Sequence, residues 1–342
     1  MKAPVWLLAA PLLALAVVAS GVIRLQASAG HWAVTDQFLR FASRRSIATW
    51  SAGIAVPPLT DPALAQRGAG HYALGCRPCH GAPDLPPPPY ARVLVPPPPA
   101  LADHASHWDP EDLFYVVKHG TKFTAMPPWP VRSRDDEVWS LVAFLRVLPT
   151  LDRAAYREMA YGEDEFEGMA VAARPCAGCH GQDGLGRGAV PRIAGQQEAY
   201  LSASLEAYAS GARPSGIMLT AVSGRSSNEL AASARHFAAL PSGRAWPATG
   251  DRARGERLAR GEVVGVPGCV PCHGPGDQPR NPTFPLLAAQ DPDWLALQLR
   301  LFQAGGRGGT PFAGLMEAVL AHGLSEADVR DVSAWYAGLD GG

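Results

Sequence analysis

The hydrophobic positions of this 342-residue chain recur at helical intervals, most clearly in the segment 135–148. One face of that segment carries Val138, Leu141, Val142 and Leu145. Two similar segments lie at 227–240 and 325–339, and all three begin with Ser or Asp and acidic residues, which favour a helix N-terminus. Long alternating runs of Val, Ile, Thr and Tyr, typical of strands, are missing. The pattern therefore predicts an all-α protein.

The N-terminal segment is apolar from residue 3 to residue 23 and carries no charge until Arg24. About 20 apolar residues are enough for a helix that crosses a bilayer. A signal peptide, cleaved near 27–29, is the alternative. We therefore predict a transmembrane anchor or signal peptide over 1–24. A juxtamembrane connector over 25–60 would follow, as an amphipathic helix at the membrane surface or as a packed connecting helix.

Composition limits the remaining possibilities. The chain is 47% hydrophobic and 18% charged with a net charge of −1, so it folds, and its length suggests two or three domains. The balanced charge provides no basic surface for nucleic acid, and none is predicted as a partner. The 33 prolines and 36 glycines favour short helices joined by stiff loops.

All six cysteines fall in three C-x-x-C-H motifs, so none is left over for a disulfide. The motifs read CRPCHG at 76–81, CAGCHG at 176–181 and CVPCHG at 269–274. Their spacings of 100 and 93 residues indicate a domain-sized repeat.

Three chemistries compete for this motif. Structural zinc needs four ligands, yet these pairs lie far apart and no second histidine follows at the usual spacing. A redox dithiol would need a βαβ context, and no strand precedes the motifs. A c-type haem uses both thiols as thioethers and the adjacent histidine as the proximal iron ligand. Three copies predict three covalently bound haem c groups, attached at Cys76, Cys79, Cys176, Cys179, Cys269 and Cys272.

A second axial ligand is expected from a methionine well after each histidine, and each repeat offers one. The pairs are His80 with Met126, His180 with Met218, and His273 with Met316, separated by 46, 38 and 43 residues. A buried core methionine is the alternative for any one of them. The same order in all three repeats favours ligation.

A proline lies between histidine and methionine in each repeat. The steps are Pro99-Ala100-Leu101, Pro191-Arg192-Ile193 and Pro285-Leu286-Leu287. We expect each proline carbonyl to accept a hydrogen bond from Nδ1–H of the proximal histidine and so fix its ring. An ordinary turn proline is the alternative.

The order helix, C-x-x-C-H, P-x-L, methionine and closing helix resembles class I cytochrome c. The PRIAGQ and PLLAAQ steps, with a G-x-R element before the methionine, are similar to those of tandem diheme cytochrome c4. Residues 67–150, with KHGTKFTAMPPW, resemble the monohaem domains of membrane-bound cytochrome c subunits. The resemblance implies haems with His/Met ligands and electron transfer without bond-making chemistry.

These observations predict three consecutive cytochrome c domains. Their expected bounds are 61–150, 168–242 and 243–342, here called the first, second and third repeats. An acidic linker over 151–167 would join the first two, either as a solvated linker or as a docking site for a basic redox partner.

The function expected from the sequence is a membrane-anchored triheme cytochrome, not an enzyme, in a periplasmic respiratory chain. The donor would be a dehydrogenase or a quinol-oxidising complex, and the acceptor an oxidase, a reductase or a soluble cytochrome. The N-terminal helix would hold the cytochrome in a bacterial inner membrane. If that segment is cleaved, the protein would be a secreted periplasmic form. One alternative is a peroxidase-like haem enzyme with an open site, for which Met218 has the shortest spacing. The other is a structural or sensor subunit of a complex.

Overall fold

A computed structural model describes residues 6–23, 26, 30–162, 169–275 and 279–341. These residues form helices and loops, and no strand is found among them. The α-helices are α1 (Trp6–Ala19), α2 (Ala33–Ser51), α3 (Pro62–His71), α4 (Arg77–His80), α5 (Pro89–Arg92), α6 (Leu101–His104), α7 (Pro110–His119), α8 (Asp135–Val147), α9 (Arg153–Tyr161), α10 (Arg174–His180), α11 (Glu198–Ala209), α12 (Gly216–Val222), α13 (Ser227–Ala238), α14 (Arg252–Arg260), α15 (Val270–His273), α16 (Pro292–Gln303), α17 (Ala313–Leu320) and α18 (Glu326–Ala337). A π-helical turn covers Tyr72–Cys76, and 3₁₀ turns cover Ala105–His107 and Leu148–Thr150. The all-α prediction is confirmed for this part of the chain.

Helix α1 lies within the apolar N-terminal segment. It has 14 residues and ends before Ser20, whose hydroxyl donates to the Val17 carbonyl at 2.7 Å. Gly21 then takes a positive φ of 68°. Within the described residues no helix is both long and apolar enough to cross a membrane, so the predicted spanning helix is not found there.

The connector predicted over 25–60 contains helix α2, which packs against α7. At the C-terminal end of α2, the Ser51 hydroxyl donates to the Asp112 carboxylate. Phe38 and Phe41 on the same helix are exposed. The helix is therefore docked on the first repeat at one end while aromatic side chains face outwards.

The first repeat is built on the crossing of α3 and α8. Gly68 lies so close to the carbonyl oxygen of Ser140 that a Cβ atom at this position would overlap it. The two backbones can approach because this residue has no side chain. Beside the crossing, Tyr72 and Phe144 are buried with ring centroids 5.2 Å apart, and Tyr156 packs on both.

Part of the predicted linker over 151–167 is helical. Residues 153–161 form α9, whose Tyr156 and Ala160 are buried in the core of the first repeat. The acidic residues 163–168 lie outside the described part of the chain, so their role as a linker or docking site stays a prediction.

The third repeat uses the same helix crossing as the first. Helices α14 and α18 pack together, and Gly255 lies against the Asp331 carbonyl as Gly68 lies against that of Ser140. Helix α18 begins with a capping box between Ser325 and Asp328. The second repeat is centred on α11 and α13, whose core includes the buried Phe237. Each repeat thus has its own apolar core beside one C-x-x-C-H motif.

Candidate haem sites

Each C-x-x-C-H motif ends with a short helix whose last residue is the histidine. Cys76 closes the π-helical turn before α4, the second motif lies wholly on α10, and Cys269 is the N-cap of α15. The glycine after each histidine takes a positive φ: 69° at Gly81, 81° at Gly181 and 67° at Gly274. Only glycine adopts this conformation without strain, which explains why the sequence reads H-G in all three motifs.

All six cysteines are free thiols in the structure. Burial raises the pKa of Cys76 to about 12 and that of Cys179 and Cys269 to about 11. A thiol in such apolar surroundings is protonated at neutral pH. This environment suits a residue that is to lie against an apolar macrocycle as a thioether.

The three motif histidines are held as the sequence predicts. The Nδ1 atoms of His80 and His180 each lie 2.8 Å from a proline carbonyl, that of Pro99 and Pro191 respectively. His273 Nδ1 lies 3.1 Å from the carbonyl of Pro285. The expected hydrogen bonds are therefore confirmed in all three repeats.

These bonds also define the tautomer. A carbonyl oxygen can only accept, so Nδ1 must carry the proton, and in the neutral ring Nε2 then presents a lone pair. Burial is the main effect on all three rings and lowers the pKa of His80, His180 and His273, which keeps them neutral. A neutral imidazole with a free Nε2 is the form that binds a metal.

Two large cavities bring together the predicted residues of the second and third sites. The second-site cavity, of about 1610 Å³ of space continuous with solvent, is lined by Cys176, Cys179, His180, Pro191 and Met218, among others. The third-site cavity, of about 1380 Å³, is lined by Cys269, Cys272, His273, Pro285 and Met316, among others. Each cavity thus brings the two thiols, the imidazole and the methionine of one repeat to a single space.

Met126, the candidate second ligand of the first site, lies in a tight loop after α7. Its backbone N–H donates to Thr124 Oγ1 at 3.1 Å, and its carbonyl accepts from the N–H of Thr121 at 3.2 Å. Gly120, with a φ of 66°, packs against the Met126 carbonyl. The loop is therefore locally fixed, while ligation by Met126, Met218 and Met316 stays a prediction.

Two buried arginines lie between the second and third sites. Arg213 is 4% exposed and Arg307 7% exposed. Both donate to the Tyr200 hydroxyl, at 3.4 and 2.9 Å. Arg213 also donates to Ser204 Oγ at 2.9 Å, and Arg307 also donates to the side-chain oxygen of Gln298.

The hydrogen-bond partners of these guanidinium groups include no carboxylate among the described residues, and Nε of Arg307 has no partner there. Burial alone would raise the pKa of Tyr200, but the two positive charges outweigh it and lower that pKa to about 7. Buried cations without a carboxylate partner are costly, so a ligand that carries acid groups would stabilise this site. The propionates of haem fit this requirement, and the thiols and neutral imidazoles fit its vinyl groups and iron.

Residues of the first repeat also reach the second site. The second-site cavity is lined in part by Arg67, Leu74, Arg134 and Glu137. Sequence reasoning did not single out these residues, because nothing in a local pattern shows which surface of one repeat closes the cavity of the next. The sequence analysis included Arg213 and Arg307 only as part of the G-x-R element and did not predict their burial.

Comparison with known proteins finds relatives among the cytochromes c. Residues 63–145 match the family model "Cytochrome C oxidase, cbb3-type, subunit III", and residues 167–234 match the model "Cytochrome c". A thiosulfate dehydrogenase electron acceptor of Thiomonas intermedia is 37% identical over 172 residues, which are 48% of this chain and 78% of the relative.

Two further relatives are cytochromes c4. That of Pseudomonas aeruginosa is 32% identical over 180 residues, covering 52% of this chain and 89% of the relative. A solved cytochrome c4 structure from Acidithiobacillus ferrooxidans is 28% identical, covers 48% of this chain and 98% of that one, and gives a TM-score of 0.44.

The chain therefore belongs to the cytochrome c family. It is a haem c electron-transfer protein related to cytochrome c4 and to the electron acceptors of thiosulfate dehydrogenases.

Proposed function

We propose that the chain is a triheme cytochrome that accepts electrons from a dehydrogenase and passes them to a further redox protein. The observation that carries this proposal is the identical arrangement at His80, His180 and His273, each with Nδ1 bonded to a proline carbonyl. Three equivalent histidines prepared for metal binding are more than a monohaem or diheme protein needs.

The residues would act mainly by holding and orienting. Each cysteine pair would fix its ligand covalently, and each histidine would present Nε2 to the iron. Met126, Met218 and Met316 are the proposed ligands on the opposite side. A haem c bound at each site would take up and release one electron, and a methionine ligand raises its potential relative to a thiolate.

The donor proposed here is a thiosulfate dehydrogenase, because two relatives carry that description. The second, from Stutzerimonas stutzeri, is 34% identical over 182 residues. We further propose that the apolar segment within 1–24 directs export to the periplasm, as signal peptide or as anchor, since the three motifs are of the covalent haem type. The physiological acceptor would be a soluble cytochrome, an oxidase or a reductase.

The test starts with the exported, purified protein. We expect its mass to exceed that of the polypeptide by three haems and its pyridine haemochrome to give three haems per chain. The double variant Cys76→Ala/Cys79→Ala, and its equivalents at the other motifs, should each remove one haem. Two haems in the wild-type protein would contradict the triheme assignment.

The partner is tested separately by rapid mixing with reduced thiosulfate dehydrogenase. We expect reduction within the turnover time of the enzyme, and a rate that falls as salt is added if charged surfaces steer docking. Turnover of peroxide by the purified protein would instead favour the haem enzyme. Absence of reduction by the dehydrogenase would exclude this donor without changing the haem count.

A further inference from the structure

Glu137 is a buried residue of the first repeat whose carboxylate is directed at the second. It lies on α8 and is 2% exposed. Its Oε1 accepts from the Ser215 hydroxyl at 2.5 Å. Its Oε2 accepts from the backbone N–H groups of Gly216 at 2.7 Å and Ile217 at 3.3 Å. These three donors lie at the start of α12, the helix that carries Met218.

A short relay connects the carboxylate to Met218 itself. The backbone N–H of Met218 donates to Ser215 Oγ at 3.1 Å, and that hydroxyl donates to Glu137. The first N–H groups of a helix have no partner within the helix and carry partial positive charge. A buried carboxylate at this position satisfies them and holds the first turn, and with it Met218, against the first repeat.

Two other side chains of the first repeat complete the contact. Arg134 pairs with Glu137 at 3.1 Å and donates to the carbonyl of Pro214 at 2.7 Å. Trp129 Nε1 donates to Glu137 Oε2 at 3.3 Å. Its indole lies so close to Gly216 that a Cβ atom there would overlap it.

Among the described residues, the methionine helix of the third repeat has no side-chain cap at its N-terminus. Helix α17 carries Met316, and its N-cap residue Phe312 makes no side-chain capping bond. Phe312 instead takes a positive φ of 63°. The carboxylate from a neighbouring repeat is therefore a feature of the second site and not of the methionine helix in general.

We propose that Glu137 is a positioning residue for Met218, so that ligation at the second haem depends on docking of the first repeat. The inference rests on the proposed role of Met218 as an axial ligand. It goes beyond that role by assigning control of the ligand to a different repeat.

The experiment uses the full-length holoprotein and the far-red band of the oxidised form that reports methionine sulfur bound to ferric iron. The variants are Glu137→Ala, Glu137→Gln, Ser215→Ala and Met218→Leu. Ser226→Ala is the matched control, because Ser226 caps α13 in the same repeat and its hydroxyl bonds to Glu229 of that helix. The potentials of the three sites are followed by redox titration, and folding is followed by thermal unfolding.

We expect Met218→Leu to lower the far-red absorbance by the contribution of one of the three sites. Glu137→Ala should reproduce most of that loss and lower one of the three potentials. Glu137→Gln, which keeps an acceptor but not the charge, and Ser215→Ala, which breaks the relay, should give smaller losses. Ser226→Ala should lower the melting temperature and leave the band and potentials unchanged.

Two results would overturn the proposal and are distinguishable. A band that is unaffected by Met218→Leu would show that Met218 is not a ligand, and both the ligand assignment and the inference would fall. A band lost in Met218→Leu but intact in the Glu137 and Ser215 variants would leave the ligand in place and overturn the inference alone. If Glu137→Ala does not fold, Glu137→Gln and Ser215→Ala decide the question.

Discussion

Gln290 and Arg192 exchange two hydrogen bonds across the junction of the second and third repeats. Gln290 Oε1 accepts from the backbone N–H of Arg192 at 3.0 Å, and its Nε2 donates to the Arg192 carbonyl at 3.0 Å. Gln196 does the same to Leu286, with distances of 2.8 and 3.1 Å. The two pairs are related as in a symmetric dimer. Gln196 is the last residue of PRIAGQ and binds the second residue of PLLAAQ, and Gln290 is the last residue of PLLAAQ and binds the second residue of PRIAGQ.

Substitution of either glutamine should weaken this junction. Gln290→Ala leaves the N–H and carbonyl of Arg192 buried without these partners, so we expect a loss of about 1–3 kcal/mol in the free energy of unfolding. Urea unfolding of the holoprotein measures it. Gln303→Ala is the control, because Gln303 makes one exposed bond to the Leu324 carbonyl and its removal should change little. Equal effects of the two variants would argue against a special role for the junction.

Gly70 offers a test of how closely the first and second repeats are packed. A Cβ atom at Gly70 would overlap Cys179 Sγ, whereas one at Gly314 would meet nothing within 4 Å. A sulfur joined to haem could not retreat, so Gly70→Ala should cost about 1–3 kcal/mol of stability. Gly314→Ala, also in a helix, should instead stabilise by up to about 1 kcal/mol. Thermal unfolding and the haem content per chain measure both, and a neutral Gly70→Ala would show that the repeats separate readily.

Arg307 should raise the reduction potential at the second and third sites, because it lines both cavities. Positive charge favours the reduced iron, so Arg307→Leu should lower both of these potentials, each by up to roughly 40–90 mV. That range corresponds to about 1–2 kcal/mol of Coulomb energy at an effective dielectric constant near 20. Arg307→Lys keeps the charge and should recover most of the shift. Redox titration followed by absorbance measures it, and an unchanged potential in Arg307→Leu would place this charge too far from the iron to matter.

Asp136 should make stability depend on pH at the acid end. Burial alone would raise its pKa, but hydrogen bonding and charge from Arg134, together with Arg67, outweigh this and lower the pKa to about 2. Because the folded pKa lies below the ordinary value of 3.8, the ionised form stabilises the fold above about pH 4. That contribution is lost as the pH falls through about 2.

The variant Asp136→Asn tests this contribution. Its stability should be lower than wild type by on the order of 2 kcal/mol at pH 7 and should converge with wild type near pH 2. Urea unfolding over a pH series gives the difference. Glu198→Gln removes an exposed ion pair with Arg235 and should show little difference at any pH. A constant difference between Asp136→Asn and wild type would contradict the assignment to Asp136.

The local chemistry of the motifs could be predicted from the sequence, whereas contacts between repeats could not. In each repeat the histidine, the proline and the glycine with positive φ lie within about 20 residues of one another along the chain. Their roles follow from residue type. Glu137 and Gln290 act on residues some 80 to 100 positions away, and a buried glutamate on an amphipathic helix looks like any other acidic residue of a first turn. The linker prediction over 151–167 rested on acidic composition and did not register Tyr156, which packs back into the first core.

The C-terminal end of α1 shows a different limit. An apolar run in the sequence defines which residues avoid water, but not where the helix ends. The helix ends at Ser20 and Gly21 for two reasons. The Ser20 hydroxyl donates to the backbone carbonyl of Val17, and Gly21 takes a positive φ that a continuing α-helix does not allow.

The peptide group between Pro191 and Arg192 has a practical consequence for anyone who rebuilds this molecule. Its carbonyl accepts a hydrogen bond from the His180 ring, and its N–H donates to Gln290. In the same way, the peptide group between Pro285 and Leu286 accepts from the His273 ring and donates to Gln196. A chimera that swaps residues 243–342 for another cytochrome must therefore bring a glutamine at the equivalent position. Otherwise the peptide group that orients the His180 ring loses its hydrogen bond to Gln290. The absorbance and the potential of the second repeat, which the chimera retains, would then change together with those of the grafted repeat.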